Sequence, residues 1–301
     1  MDLVGSPAAL RGWSIASLVA NMGLVVTGGL VRVTGSGLGC STWPQCEPGS
    51  YVPHGDAPLH TYIEFGNRLL TFVLVAVAIG TLIAAWRARD AAGNPVRRVR
   101  VLALLAAAGI PAQAVIGGIS VLARLEWWVV GLHLVPSLAL IMVCTVLVHE
   151  VFGAAPAGAT AAARNLAWVV LALGWLVLLL GIIVTGAGPN AGDADVHRSG
   201  FDLTAVARTH SLSVWAATIA IVALLWLARR TPALFRAALL LLGVVVLQGA
   251  IGYAQYFLGV PPMLVGIPGD NTYANYQEAN RAFYRLTVLP LIQRIAASFS
   301  G

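Results

Sequence analysis

The sequence has no lysine and little charge of either sign. Its 18 basic residues are all arginine, they face only 12 acidic ones, and charged side chains make up 10% of the 301 residues. So few charges cannot clothe a water-soluble domain, and a mean hydropathy of +0.83 excludes one. Hydrophobic residues reach 58%, so a bilayer is the natural solvent. The net charge of +6 does not argue for a nucleic-acid partner, because the arginines sit in short connections between apolar runs, where membrane topology accounts for them. Arginine without lysine, together with abundant alanine, fits a GC-rich bacterial genome. Cysteine is scarce too, and the placement of its three copies matters more than their number. Cys40 and Cys46 share a polar loop, while Cys144 lies inside an apolar run.

A membrane-crossing helix needs about 20 mostly apolar residues. Seven windows meet that need: 12–32, 62–86, 99–122, 128–149, 166–186, 205–228 and 234–258. The chain therefore reads as an all-α polytopic membrane protein. The first run, Gly12 to Val31, is expected to remain as a helix, since it is too long for a signal peptide and has no small-x-small cleavage site. Arginine concentrates in alternate connections, at Arg87, Arg89, Arg97, Arg98 and Arg100, then Arg164, then Arg229, Arg230 and Arg236. The positive-inside rule then puts the N-terminus in the cytoplasm and the Cys40/Cys46 loop on the oxidising side.

The chain also repeats itself. Val33-Thr34-Gly35-Ser36-Gly37 ends the first window and Val184-Thr185-Gly186-Ala187-Gly188 ends the fifth. Gln113-Ala114-Val115-Ile116-Gly117 in the third returns as Gln248-Gly249-Ala250-Ile251-Gly252 in the seventh. An internal duplication into two pseudo-symmetric four-helix bundles explains both matches. It divides the chain into an N-terminal bundle (1–155), a C-terminal bundle (156–267) and a remainder (268–301). Val130-Gly131-Leu132-His133 opens the fourth window, and Val265-Gly266-Ile267-Pro268 stands where an eighth should open. Beyond Ile267 the residues turn polar and no spanning run follows, so the eighth helix is lost or replaced. An altered reading frame or gene explains that break, and so does a genuine seven-helix variant.

Ionisable groups within a bilayer are functional candidates because burying them is expensive. The second window carries Glu64, Asn67 and Arg68; Glu64 and Arg68, four apart, could also form a simple internal ion pair. His133 and His210 each lie one or two turns inside the outer ends of even-numbered helices, at the level of Glu64. Paired imidazoles at one depth point to axial ligation of a haem, against the plainer alternative of packed histidines bonded across helices. Arg32, Arg68, Arg124 and Arg208 lie near the same boundary and are candidates to pair with propionates, or else simply snorkel. His60 is either a surface residue or a replacement ligand, and His54, His149 and His197 read as solvated. Cys40 and Cys46 are a disulfide or a free pair, Cys144 is core, and Gln113 and Gln248 serve interhelical hydrogen bonds.

Gly29-Leu-Val-Arg-Val-Thr-Gly-Ser-Gly-Leu-Gly-Cys40-Ser-Thr-Trp-Pro-Gln-Cys46, followed by Ile63-Glu-Phe-Gly-Asn-Arg68, resembles the haem A synthase family. The likeness covers about 12–267. It implies eight helices in two bundles, a haem b cofactor in the C-terminal one, and haem O as substrate in the N-terminal one. It further implies oxidation of the C8 methyl of haem O to a formyl group, making haem A for a terminal oxidase. By the same resemblance Glu64 is the catalytic glutamate, His133 and His210 bind haem iron, and Cys40 and Cys46 form the first-loop pair; Arg68 and Arg208, by their place near the outer boundary, are the arginines expected to bind the cofactor. Haem O synthase and an electron acceptor are the candidate partners in the bacterial cell membrane; a homo-oligomer stays open. The departures are Asn67 at the place of a helix 2 histidine, Pro268 at that of a helix 8 histidine, and no cysteine pair in the 189–206 loop. A membrane electron carrier or a non-catalytic haem-binding remnant is the alternative.

Overall fold

A computed structural model describes residues 7–90, 93–153, 158–188 and 196–258. Seven helices long and apolar enough to cross a membrane account for most of them: α1 (Pro7–Val33), α2 (Leu59–Arg87), α3 (Arg97–Leu122), α4 (Trp127–Phe152), α5 (Ala161–Ala187), α6 (Leu203–Ala228) and α7 (Pro232–Leu258). The chain is thus a multi-pass membrane protein. In hydrocarbon a backbone must satisfy its own hydrogen bonds, and a helix does so within one segment. Each helix overruns its apolar window by a few residues, because end groups outside the hydrocarbon find other partners. Thr160 and Asp202 cap α5 and α6 by accepting from the Ala163 and Ala205 amides at 3.2 and 2.7 Å.

The first four helices close into a ring, α1 packing on α2, α2 on α3, α3 on α4 and α4 back on α1. Lipid is as apolar as leucine, so close packing and hydrogen bonds must hold such a ring. Asn21 and Ser17 of α1 meet the Cys144 thiol of α4, each at 3.6 Å. Thr81 of α2 donates to the Trp13 carbonyl of α1 at 3.1 Å. Gln113 of α3 donates to the His133 carbonyl and the Ser137 hydroxyl of α4, at 3.2 and 2.6 Å. Leu74, Ala78 and Ile110 fill the space between α2 and α3. The outer surface is apolar instead: Val26, Phe72 and Leu240 are 71%, 71% and 72% exposed, as lipid-facing residues are.

Among the described residues the second half is an open row, with α6 packed between α5 and α7. Ala163, Val170, Ala220, Ile221, Leu224 and Ala238 form its core. The halves join where α4 meets α5. There Trp127 lies over Gly186, Ile182 over Gly131, and the Trp127 and Phe201 rings meet edge to face at 6.0 Å. The remainder 268–301 lies outside the described residues.

A Cβ on Gly80 would stand 2.6 Å from Trp13 ring carbons, whereas one on Gly23 would meet nothing within 4 Å. Gly80→Ala is therefore expected to destabilise the first bundle by about 1–3 kcal/mol through overpacking. Gly23→Ala should be neutral or stabilise by up to about 1 kcal/mol. Thermal unfolding of the purified protein in detergent checks the pair.

Candidate functional site

The loop between α1 and α2 folds back over one end of the ring. Cys40 and Cys46 are joined in a disulfide, the Trp43–Pro44 peptide is cis, and both cysteines are buried. Two glycines permit the close fit. A Cβ on Gly39 would strike the His60 carbonyl at 2.4 Å, and one on Gly118 would strike the Trp43 indole at 2.2 Å. The loop thereby docks on the first turn of α2 and the last turn of α3. Leu38 joins Leu125, Val130 and Val196 in a small apolar cluster that ties it to the connections on the same side.

Its buried polar attachment centres on an ion pair of α2. Glu64 is buried, and its Oε2 accepts the Cys40 amide at 2.6 Å. Its Oε1 accepts from Arg68 Nε at 3.1 Å and from Nη2. The rest of the Arg68 guanidinium donates to loop carbonyls: Nη1 to Thr42 and Gln45 at 3.0 and 3.2 Å, and Nη2 to Cys40 at 3.2 Å. A charge near lipid is tolerable when every polar atom around it is satisfied, and here the pair and the loop satisfy one another. The internal ion pair that the four-residue spacing allowed is present, and it also holds the disulfide loop.

His133 of α4 and His210 of α6 occupy matching settings. The His133 ring lies on Gly117 of α3, where a Cβ would come within 3.1 Å of it, and the His210 ring lies on Gly181 of α5, where a Cβ would come within 3.4 Å. In each ring Nδ1 is buried and has no hydrogen-bond partner among the described residues. The Val177 backbone of α5 faces the His210 ring without completing a bond to Nδ1. A buried ring nitrogen left unpaired costs about 1–3 kcal/mol, so two such atoms call for an explanation.

The remaining sequence candidates fall as follows. Asn67 accepts from the Thr27 hydroxyl of α1 at 2.7 Å. His60 is half-buried, with Nδ1 bonded to the buried Ser36 hydroxyl at 2.9 Å. Arg32 is half-buried, while Arg124 and Arg208 are exposed. His54 and His149 are exposed, and His197 is exposed 3.9 Å from Glu126. Cys144 is core, hydrogen-bonded to Ser17 and Asn21. Gln113 makes the expected interhelical bonds, but its repeat Gln248 is exposed on α7. Pro268 lies outside the described residues. Nothing in the sequence pattern marks Thr27 or Gly181 as site residues, and Gly117 stands out only within the repeated Gln-x-x-Ile-Gly segment.

Comparison with known proteins follows the same boundary. Residues 11–266 match the profile of the COX15-CtaA family, described as cytochrome oxidase assembly protein. A haem A synthase of Lysinibacillus sphaericus is 31% identical over 168 residues, 54% of this chain and 53% of its own length. One of Halalkalibacterium halodurans is 32% identical over 147 residues, 46% of this chain and 47% of its own. The chain spans about half the length of these curated relatives. Residues 255–301 match a different profile, described as phage portal protein. An uncharacterised protein of Rickettsia felis is 57% identical over 43 residues, 14% of this chain and 11% of its own. No solved structure matches. The polar turn after Ile267 thus coincides with likeness to an unrelated family, whereas the seven helices, the disulfide loop and both histidines fall in the first match: the chain belongs to the COX15-CtaA family of cytochrome oxidase assembly proteins, the family of the haem A synthases.

Proposed function

We propose that this chain acts in haem biosynthesis as a haem A synthase, oxidising the C8 methyl of haem O to a formyl group. The observation that carries the proposal is the matched pair of imidazoles, each laid on a neighbouring helix's glycine and each with a buried Nδ1 that meets no hydrogen-bond partner among the described residues. Such rings fit a porphyrin iron, because ligation gives a buried imidazole the strong partner that these surroundings lack. His133 would hold haem O in the first bundle, and His210 a haem b in the second. The haem supplies the redox chemistry that side chains cannot.

Glu64 is the only buried carboxylate among the described residues. Arg68 and the Cys40 amide fix its direction, which suits it to orient water or accept a proton beside the substrate. Arg68 spends its donors on Glu64 and the loop, so its part is to position Glu64 and the disulfide loop rather than to bind propionates. Half-buried Arg32, near the same boundary, is the candidate for that pairing in the first bundle. Arg208, exposed two residues before His210, is the corresponding candidate in the second. The N-terminus would be cytoplasmic in a bacterial cell membrane, with the disulfide on the oxidising face. Haem O synthase and an electron acceptor are its proposed partners.

A second reading, a haem-binding remnant or electron carrier without turnover, is favoured by one observation. Similarity to the family ends at residue 266, and the residues that should continue as an eighth helix resemble a phage portal protein instead. Extraction of haem from cells making haem O, with and without this chain, separates the readings. A formyl haem supports synthase activity; bound haem with no formyl product supports the remnant.

His133→Ala is expected to remove haem from the first bundle, measured as loss of Soret absorbance in purified protein; unchanged substrate occupancy would exclude His133 as ligand. Glu64→Ala is expected to spare haem content and stop formyl production, and retained turnover would remove Glu64 from the chemistry. For the clamp, Glu64→Gln leaves Arg68 uncompensated and should cost about 1–3 kcal/mol, less than a fully buried pair because Arg68 keeps its carbonyl partners. Adding Arg68→Gln should recover part of that loss in thermal unfolding. In intact cells treated with reductant, an impermeant thiol reagent should label Cys40 or Cys46 but not a cysteine placed at Gly93.

A further inference from the structure

The buried face of α2 runs through Thr61, Glu64, Leu74, Ala78, Thr81 and Ala85. Asn67, three residues after Glu64, falls on the same stripe. On α4 the stripe through His133 continues to Ser137, Leu140 and Cys144. Ser137 bonds Gln113 of α3, Leu140 covers Gly109 of α3, and Cys144 meets Ser17 and Asn21 of α1. Both stripes therefore face into the ring, where α2 and α4 stand opposite one another.

Helix α1 serves as a ruler of depth. Asn67 is tied to Thr27, and Cys144 to Ser17 and Asn21. Thr27 is about 9–15 Å nearer the disulfide-loop end than that cluster, and His133 is about 16 Å nearer than Cys144, at 1.5 Å per residue. Asn67 and His133 thus face each other within about one helical turn. His60 lies about 10 Å further toward the loop, where Ser36 already engages its ring. His149 is exposed near the opposite end of α4.

A carboxamide nitrogen has no free lone pair for a metal, and the Asn67 oxygen already accepts from Thr27. That bond leaves Nδ2 as the free end of the side chain; among the described residues no acceptor meets it. We propose that His133 is the only side chain of the first bundle to ligate a porphyrin iron, and that Asn67 faces the opposite side as a hydrogen-bond donor, leaving that position open to a small exogenous ligand. The site is then an imidazole facing an amide across the ring, where a second imidazole would have closed it. This rests on the haem reading above.

The test uses the full chain in detergent, in a His210→Ala background that removes the other candidate ligand, loaded with ferric haem b. The expected spectrum is high-spin, and cyanide should convert it to low-spin. Asn67→His should give a low-spin spectrum with no added ligand. Asn67→Leu should stay high-spin, and its ferrous carbon monoxide complex should show a higher C–O stretching frequency, because the Nδ2 donor is gone. A low-spin spectrum indifferent to cyanide, or a stretch unmoved in Asn67→Leu, overturns the proposal; conversion of such a low-spin form to high-spin by His60→Ala would name His60 as the second ligand. Failure to bind haem, or equal retention of haem in His133→Ala, instead removes the haem reading itself.

Discussion

Glu64 sits where a carboxylate is costly, buried in a membrane helix, and the way it is stabilised organises one whole end of the first bundle. One oxygen takes the Cys40 amide and the other takes Arg68, whose remaining donors reach three carbonyls of the same loop. Loop and ion pair depend on each other. Without the loop, Arg68 would lose three carbonyl acceptors and Glu64 the Cys40 amide; without the pair, the loop's inward-facing amide and carbonyls would be left bare near hydrocarbon. The disulfide shortens the segment that must be ordered, and the glycines at 39 and 118 let it lie close enough for the bonds to form. The candidate site beneath inherits its shape from this arrangement.

The two halves use similar parts with different results. In the first, Gln113 binds α4 and Gly117 receives the His133 ring, so α3 and α4 are joined at the level of the candidate ligand. Among the described residues their repeats on α7 engage nothing comparable, since Gln248 is exposed and a Cβ on Gly252 would meet no atom within 4 Å. The likeness to haem A synthases ends where the partner helix would begin, and a likeness to a phage portal protein takes over. His210 nevertheless keeps its seat against Gly181, because α5 and α6 precede the break.

The seven helices were legible in the sequence because crossing hydrocarbon demands a long apolar run, a property of each segment alone. The family was legible for a related reason: the Thr-Gly-Ser-Gly-Leu-Gly-Cys stretch and the Glu-Phe-Gly-Asn-Arg stretch are local. The i,i+4 spacing of Glu64 and Arg68 likewise announced an ion pair. Sequence could not say what else the pair holds, since Cys40, Thr42 and Gln45 lie more than twenty residues away along the chain and reach it only through the loop's fold.

What the sequence by itself determined, then, is where the seven described membrane helices run, the repeated pattern, the family, and the identity of the scarce polar groups, all set by composition and short-range spacing. Only the tertiary structure decided which polar group meets which. It closed α1–α4 into a ring while leaving α5–α7 a row, turned Asn67 toward Thr27, and laid each imidazole on a glycine. The physical reason is that a hydrogen bond or a ring contact inside lipid is specified by the distance between helices, and that distance depends on small residues of one helix meeting large residues of another.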